Sequence, residues 1–405
     1  MGMETSGQTP DRQASSSIWT GGFISIFFTN LALNMGMFMS NSLLSVYANS
    51  LGAPASAIGL VMSTFAISSI LFRMISAPVM DTYNRKYIVT LATLMLSVSF
   101  LGFSVSGNIP TLLGFRLLQG AGMAFGNACC LAIVAEMLPK DKYASGIGYY
   151  SLAQVLCQAV GPSVGLFLVD HYGFRLTFTT TAGIMLIAAF LSVRLKTHFQ
   201  RTKKLKITFN NIIAKEALLP TFMVLMLSTG GSTIGSFLII FARNQGVSSN
   251  IGLFFTVTAV TMIVTRPVIG RLTDKYGLAK VVVPALFCNV IMFYIISFSS
   301  TLWSFLLAAF ISAFGYGACQ PAMQALTMKS VPNERRGAAS STNYIGMDLG
   351  NLIGPTIGGL VAQSFGYVAM WRIMACFFIV GMLIAFFTRS TITRIEKDFE
   401  LRQAG

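Results

Sequence analysis

Charged residues are scarce in this sequence. Asp, Glu, Lys and Arg together make up 10% of the 405 residues, whereas 54% are hydrophobic. A soluble domain carries about 25% charged residues, so this chain cannot cover itself with a polar surface. The shortage of charge excludes an ordinary soluble protein and predicts one embedded in a membrane.

Residues that bind metals or cofactors, or that form disulfides, are also few. The chain has two histidines, and its six cysteines all fall inside long apolar runs without Cys-x-x-Cys spacing. We therefore expect neither a metal site nor an extracellular disulfide framework. The phosphate-binding pattern G-x-x-x-x-G-K-[ST] is absent, which argues against direct use of ATP. We expect no enzyme, no catalytic residues and no cofactor.

Apolar runs of about 20 residues, each long enough to cross a hydrocarbon core of roughly 30 Å, fill most of the chain. Backbone groups in lipid must be satisfied within one segment, so the runs are predicted to be helices. We number them spans 1 to 12, near 20–46, 55–80, 87–106, 111–137, 144–169, 174–193, 217–242, 250–272, 279–298, 302–328, 338–363 and 369–388. The predicted fold class is an all-α integral membrane protein with 12 transmembrane helices.

The polar segments between the spans repeat with a constant offset of 193 residues. Gly161 is followed at this offset by Gly354, and Gly173 by Gly366. The chain is therefore interpreted as two copies of one six-span unit. Its predicted parts are a tail over 1–17, a six-helix bundle over 18–193, a basic linker over 194–216, a second six-helix bundle over 217–388 and a tail over 389–405.

Basic residues are unevenly distributed between the loops. With the N-terminus in the cytoplasm, all but six of the 28 Lys and Arg residues fall in cytoplasmic loops and tails. The positive-inside rule then predicts a multi-pass protein of the plasma (inner) membrane with both termini cytoplasmic. The net charge of +15 follows from this topology and from anionic lipid headgroups. We expect membrane lipids but no nucleic acid as partners, and a monomer.

Three sequence motifs lie within or directly after particular spans. They are G-x-x-x-D-[RK]-x-G-[RK]-[RK] after spans 2 and 8, R-x-x-Q-G in span 4, and G-x8-G-x3-G-P-x2-G-G in spans 5 and 11. The residues that match are Asp81 and Arg85; Asp274 and Lys275; Arg116 and Gln119; Gly148, Gly161, Pro162 and Gly165; and Gly350, Gly354, Pro355 and Gly358. In these motifs the chain resembles the major facilitator superfamily, most closely its 12-helix drug:proton antiporter-like branch. The resemblance implies two pseudo-symmetric bundles that work by alternating access.

The loops after spans 2 and 8 are predicted to gate the cytoplasmic side. The resemblance implies that Asp81 faces the N-terminus of span 11, a favourable place for a carboxylate, and that Asp274 faces span 5 by symmetry. Arg73, Arg85, Arg266 and Lys275 are assigned to the same gates. The alternative is that the two acids only mark a turn.

The glycines and prolines of spans 5 and 11 are predicted to form a hinge. Glycine allows close backbone approach, and a proline removes a helical hydrogen bond and permits a bend. The resemblance places these two spans at the interface of the halves, where a closely packed pair would limit leakage. General packing of small residues is the competing interpretation.

Two charges deep in the spans are candidates for proton coupling. Asp348 lies about ten residues, or roughly 15 Å, from the cytoplasmic end of span 11, where an acid costs about 2.5–3.5 kcal/mol to insert. Arg116 lies in span 4 and needs a polar cavity or a counter-ion. Their symmetry partners, Val155 and Ala309, are apolar, so the fold does not require either charge. A structural role is the alternative for both.

Side-chain amides are predicted to line a central substrate cavity. They are Asn30, Asn34 and Asn41 in span 1, Gln119 in span 4, Gln154 and Gln158 in span 5, Gln320 and Gln324 in span 10, and Asn351 in span 11. Amides beside Met and Phe favour a neutral or mixed-polarity organic substrate. Hydrogen bonds between helices are the alternative.

The sequence therefore predicts a secondary transporter that exports a small organic compound, such as a drug or metabolite, in exchange for protons. Proton-coupled uptake of a metabolite by the same fold is the first alternative. A sensor that transports nothing, or a lipid flippase, is the second.

Overall fold

The computed structural model describes residues 18–138, 143–195, 213–247, 250–332 and 335–404, and these ranges are almost entirely helical. The helices, in chain order, are α1 (Gly21–Ser50), α2 (Ala55–Thr82), α3 (Arg85–Val105), α4 (Ile109–Met137), α5 (Tyr143–Val193), α6 (Leu218–Asn244), α7 (Leu253–Tyr276), α8 (Leu278–Phe298), α9 (Leu302–Lys329), α10 (Arg336–Phe387) and α11 (Arg389–Ala404). One turn of 3₁₀ helix, Lys215–Ala217, precedes α6.

Polar side chains cap several helix starts. The Thr20 hydroxyl accepts a hydrogen bond from the Phe23 amide at 3.2 Å, and the Asn108 side chain accepts one from the Thr111 amide at 3.0 Å. Each cap satisfies one of the amides that a helix leaves without a partner in its first turn. Turn residues in the sequence therefore fix where the apolar helices begin.

Two long helices, α5 and α10, are each broken by a glycine. Gly173 (φ 77°, ψ 168°) and Gly366 (φ 81°, ψ 164°) adopt a backbone conformation that glycine tolerates best. Both glycines are members of the repeat, 193 residues apart. They divide α5 into arms 143–172 and 174–193, and α10 into arms 336–365 and 367–387.

The chain reverses direction at these glycines. In the first arm of α5, Gly161 lies beside Phe38 of α1; in the second arm, Met185 lies beside Gly36 of the same helix. Phe174, at the start of the second arm, contacts the ring of Tyr47 near the end of α1. The second arm therefore runs back along α1, in the direction opposite to the first arm. Within the described residues, ten helices are long and apolar enough to cross a membrane. Counting both arms of α5 and α10 gives twelve spans, and the predicted fold class is confirmed.

Many large apolar side chains point outward from the bundles. Val264, Phe298 and Trp303 are 68%, 72% and 80% exposed. Such a surface would be unfavourable in water but suits contact with lipid chains.

The two ends of the bundle differ in charge. Among the described residues, the basic end carries the chain segments at 83–84, 195, 213–217, 277, 330–332 and 335, and the opposite end carries those at 51–54, 106–108, 173, 245–247, 250–252, 299–301 and 366. The first half of the molecule comprises α1–α5 and the second half α6–α11.

Two helix pairs, α2 with α10 and α5 with α7, connect the halves near the opposite end. Between α2 and the first arm of α10, the Ser63 hydroxyl donates to the Leu352 carbonyl at 2.9 Å, and the carbonyl of Pro355 abuts Gly59. Between α5 and α7, the hydroxyls of Ser163 and Thr256 lie 3.1 Å apart. Close backbone approach and short polar side chains together hold the halves together at this end.

Five of the glycines predicted to form a hinge between the halves pack within their own half, whereas the surroundings of Gly148 lie outside what the structure describes. Gly161 and Gly165 face Phe38 and Leu43 of α1, and Gly354 lies against the Thr229 carbonyl of α6. The same holds for Gly350, beside Ser228, and Gly358, beside Phe237. The expected closely packed pair of spans 5 and 11 is therefore wrong for these residues, because each arm crosses to a different partner, α5 to α7 and α10 to α2.

The segment predicted as a C-terminal tail forms a docked helix over its described residues. In α11, Ile392 is fully buried, and Glu396 accepts a hydrogen bond from the Leu278 amide at 3.3 Å and lies 3.8 Å from the Lys329 ammonium. A carboxylate at the start of α8 satisfies a free amide and opposes the positive end of the helix dipole. Thus α11 ties the basic ends of α8 and α9 together.

Candidate functional site

A buried ion pair joins the two halves of the molecule. The Arg73 Nε of α2 donates to Asp348 Oδ2 of α10 at 2.9 Å. The Asp348 side chain is 3% exposed and that of Arg73 20%. By helix rise, the two residues lie roughly 14 and 18 Å from the basic ends of their helices, well inside the membrane region. Breaking a charge pair in such surroundings is costly, because removing one partner leaves an uncompensated buried charge.

Two further side chains complete this site. The Ser69 hydroxyl donates to Asp348 Oδ2 at 3.3 Å and accepts from Arg73 Nη2 at 3.2 Å. The guanidinium of Arg73 lies over the ring of Tyr344, 4.8 Å from its centroid. Asp348 and Tyr344 are four residues apart on α10 and so share one face of that helix. We call Asp348, Tyr344 and Ser69, with Arg73, the ion-pair site.

The structure gives Arg73, which was predicted to act at a cytoplasmic gate, a partner in the other half of the molecule; its gating role stays a prediction. Arg73 lies inside α2 and contacts Asp348, whereas its symmetry partner Arg266 is exposed on α7. Symmetry alone grouped the two arginines, but of this pair only Arg73 contacts an acid among the described residues. The similar depths of Arg73 and Asp348 were the signal that could have paired them; no sequence pattern pointed to Ser69 or Tyr344.

Arg116 is enclosed in a cage of neutral groups. Its Nη1 donates to Gln119 Oε1 at 2.5 Å and its Nη2 to Asn41 Oδ1 at 2.8 Å, while the Phe65 ring lies 4.8 Å from the guanidinium carbon. Gln119 in turn donates to the Ser40 hydroxyl at 2.8 Å. Arg116 is 1% exposed, and its Nε has no hydrogen-bond partner in the described part of the chain. Of the two expected surroundings, a polar cavity or a counter-ion, the described residues provide polar amide oxygens, together with a ring face.

Several of the predicted cavity amides are engaged within the protein. Asn34 donates to Asn30 Oδ1 at 2.9 Å, and Asn30 donates to the Tyr150 carbonyl at 3.3 Å. Gln119 has no exposed surface, so the expectation that it faces an open cavity is wrong for this structure. Its carbonyl and amide are both used by the Arg116 cage.

The remaining predicted cavity amides have exposed surface. Gln154 is exposed, and Gln158, Gln320, Gln324 and Asn351 are partly exposed. Their role as substrate contacts stays a prediction.

The predicted gating residues divide into three groups. Arg85, at the start of α3, forms an ion pair with Glu136 at the end of α4, within the first half. Lys275 and Arg266 are exposed on α7. The side chains of Asp81 and Asp274 lie outside what the structure describes.

A groove of about 450 Å³ lies on the outer surface of the first half, between α1 and both arms of α5. It is lined by apolar side chains, among them Phe28, Met35, Leu156 and Ile187. None of the nine predicted cavity amides contributes to it. The groove faces lipid and is separate from the ion-pair site.

Comparison with known proteins gives a consistent result. The family model described as Major Facilitator Superfamily matches residues 26–219 and 220–402. The chain is 29% identical over 340 residues to the multi-drug resistance efflux pump PmrA of Streptococcus pneumoniae, covering 81% of this chain and 83% of that protein. It is 28% identical over 373 residues to the multidrug resistance protein MdtG of Salmonella arizonae, covering 87% and 90%.

Solved structures share the fold at low sequence identity. The crystal structure of the nucleoside transporter NupG superimposes with a TM-score of 0.73 at 12% identity, covering 93% of this chain and 100% of that one. A peptide transporter POT in complex with sulfate gives a TM-score of 0.76 at 14% identity, covering 92% and 95%. At these identities the likeness concerns the fold alone.

Proposed function

The chain belongs to the Major Facilitator Superfamily, and we propose from this premise that it is a proton-coupled exporter of small organic compounds working by alternating access. Its similarity to proteins named as multidrug efflux pumps supports export. The observation that carries the proposal is the ion pair between Arg73 and Asp348, because it is a titratable contact that crosses the halves.

The ion pair would couple proton uptake to the movement of the halves. Arg73 belongs to the first half and Asp348 to the second, so separating α2 from α10 breaks their contact. An ionised Asp348 left alone inside the membrane is costly, and protonation removes that cost. The carboxyl group would therefore alternate between a paired, ionised form and an unpaired, protonated form.

The charged surroundings of Asp348 are simple in the described part of the chain. From α2, Arg73 contacts it and Ser69 donates to it. On α10 itself, the Tyr344 phenol lies one turn earlier. From α6, which also packs against α10, the nearest groups to neighbouring Gly350 are Ser228, the Leu225 carbonyl and the Thr229 amide, none of which titrates near neutral pH. Arg73 is thus the charge that Asp348 must exchange for a proton.

The topology proposed from the basic residues gives this state a direction. If both termini lie in the cytoplasm, the opposite end faces outward, and the contacts of Gly59, Ser63 and Ser163 close the outer side. Rocking of the two six-helix bundles would open that side and release substrate. One proton crossing 100 mV provides about 2.3 kcal/mol, sufficient for a roughly fifty-fold gradient. We place the protein in the plasma (inner) membrane as a monomer.

Transport by everted vesicles tests the proposal. We would impose a pH gradient and follow norfloxacin, chloramphenicol and tetraphenylphosphonium, which are zwitterionic, neutral and cationic probes. Wild-type protein is expected to accumulate at least one probe in a gradient-dependent way, and Asp348→Asn to abolish this for every probe. Glu400→Gln, which changes an exposed carboxylate on α11, should behave as wild type. Gradient-driven accumulation by Asp348→Asn would remove this residue from coupling, and transport in the reverse direction would indicate uptake.

A further inference from the structure

We infer that Asp348 and the ring of Tyr344 form a binding site for an organic cation, which Arg73 occupies in this state. This inference names a substrate class for the proposed transporter and so depends on that proposal. A carboxylate beside an aromatic face is the arrangement that recognises guanidinium and ammonium groups. Here the guanidinium of Arg73 fills it, 2.9 Å from Asp348 Oδ2 and 4.8 Å from the Tyr344 ring centroid.

The site and its present occupant belong to different halves. Asp348 and Tyr344 lie one helical turn apart on α10, so their relative position is kept when α10 moves. Arg73 lies on α2 and leaves with the first half. Separation of the halves therefore vacates an intact cation site, which another cation can enter.

The chemistry of the occupant indicates which cations fit. A guanidinium is planar, delocalised and weakly hydrated, unlike an ammonium or a small metal ion. Asp348 is 3% exposed, so a ligand must shed its water to reach it. Soft organic cations meet this requirement at least cost, whereas hydrated Na⁺ or K⁺ would not. A single carboxylate with a ring face also lacks the several oxygen ligands that hard cations need.

Arg116 offers a useful contrast within the same molecule. Its guanidinium also lies over a ring, that of Phe65, but its remaining contacts are neutral and come from α1 and α4 of the same half. Movement between the halves does not vacate that cage. The cation site is therefore assigned to Asp348 and not to the surroundings of Arg116.

Displacement of Arg73 predicts a mutation that strengthens binding. Removing an internal competitor raises the fraction of protein whose site is free, so the apparent Kd falls. Arg73→Ala is expected to bind tetraphenylphosphonium about tenfold more tightly or better. Asp348→Asn should lose binding, Tyr344→Leu should weaken it, and Tyr344→Phe should keep it because the ring remains. A purely structural ion pair would give no gain on removal of Arg73.

The experiment is equilibrium binding of tetraphenylphosphonium to the purified full chain in detergent, without any gradient. Arg266→Ala is the matched control, since Arg266 occupies the symmetric position on α7 but is exposed; it should bind as wild type. Chloramphenicol, which is neutral, should be insensitive to Arg73→Ala. Equal or weaker cation binding by Arg73→Ala, or retained binding by Asp348→Asn, would overturn the inference.

Loss of stability in Arg73→Ala does not obscure the result. That variant leaves Asp348 unpaired, and added tetraphenylphosphonium should then raise its Tm more than it raises that of wild type. The double variant Arg73→Ala, Asp348→Asn should recover stability and bind no cation; cation binding by it would refute the site. These binding measurements do not require transport. A negative binding result would therefore not contradict proton-driven export of a neutral probe, and a negative transport result would not contradict cation binding at this site.

Discussion

The contact between Gly59 and α10 gives a prediction about the equilibrium between the two open states. A Cβ atom placed on Gly59 would lie 2.2 Å from the Pro355 carbonyl oxygen and 3.4 Å from Gly359 Cα. Ordinary contact needs roughly 3.5 Å, so α2 and α10 would have to part by about 1 Å. The Pro355 oxygen and the Gly359 Cα are both backbone atoms. They cannot relieve the overlap by a rotamer change, as a side chain could.

The size of the effect follows from this overlap. Overpacking of a close contact costs about 1–3 kcal/mol, and the penalty applies only while the halves are closed at the opposite end. Gly59→Ala should therefore shift the population toward opening at that end by about 5- to 150-fold. The helix itself should not suffer, because alanine favours a helix over glycine by about 1 kcal/mol in either state.

Pulsed electron paramagnetic resonance between two spin labels would measure the shift. Gly107→Cys and Ser300→Cys place labels on exposed symmetric loops of the two halves, after Cys288 and Cys376 are changed to Ser. We expect the longer-distance population to grow in Gly59→Ala. Gly114→Ala is the control, because a Cβ there meets nothing within 4 Å. Identical distance distributions for Gly59→Ala and Gly114→Ala would show that the α2–α10 contact does not govern closure.

Two further predictions concern stability. Glu396→Ala should release α11 from the start of α8 and lower the free energy of unfolding by about 1 kcal/mol, as for a lost cap. Residues 389–404 should then be cleaved by protease in Glu396→Ala but not in the control Glu400→Ala. Equal protection from protease in both variants would contradict the docking role of Glu396. Asn289 is fully buried, and neither polar atom of its side chain has a partner among the described residues. Leu96 occupies its symmetric position beside Gly122, so Asn289→Leu should raise stability in detergent by about 1–3 kcal/mol; a lower Tm would indicate a partner for the amide that the fold needs.

The twelve spans could be predicted because their causes are local. Each needs a run of apolar residues long enough to cross lipid, and the backbone hydrogen bonds form within that run. The repeat offset of 193 residues also placed the two reversals, since Gly173 and Gly366 occupy equivalent positions and adopt nearly the same φ and ψ. The C-terminal helix was missed because its apolar face, with Ile392 and Ile395, is short and set among charges.

The candidate site was only partly accessible to the same reasoning. Asp348 and Arg116 were identified by their depth in the spans and by the apolar residues at their symmetric positions. Inserting an acid or a guanidinium into the membrane costs free energy, so such residues are rare and usually functional. The neighbours of each charge were beyond reach, because they depend on how helices rotate about their axes and which ones touch. The repeat grouped Arg73 with Arg266, but the structure gives these symmetric residues different surroundings, since Arg73 pairs with Asp348 and Arg266 is exposed.

The sequence by itself determined the class of protein, the number of spans and the two-fold organisation, because composition and periodicity act within one helix at a time. The tertiary structure alone decided that Arg73 meets Asp348 across 275 residues of chain, that amides enclose Arg116, and that Gly161 of α5 and Gly354 of α10 pack inside their own halves. A contact between distant helices is set by the sum of all their packing interactions, and no local pattern encodes that sum.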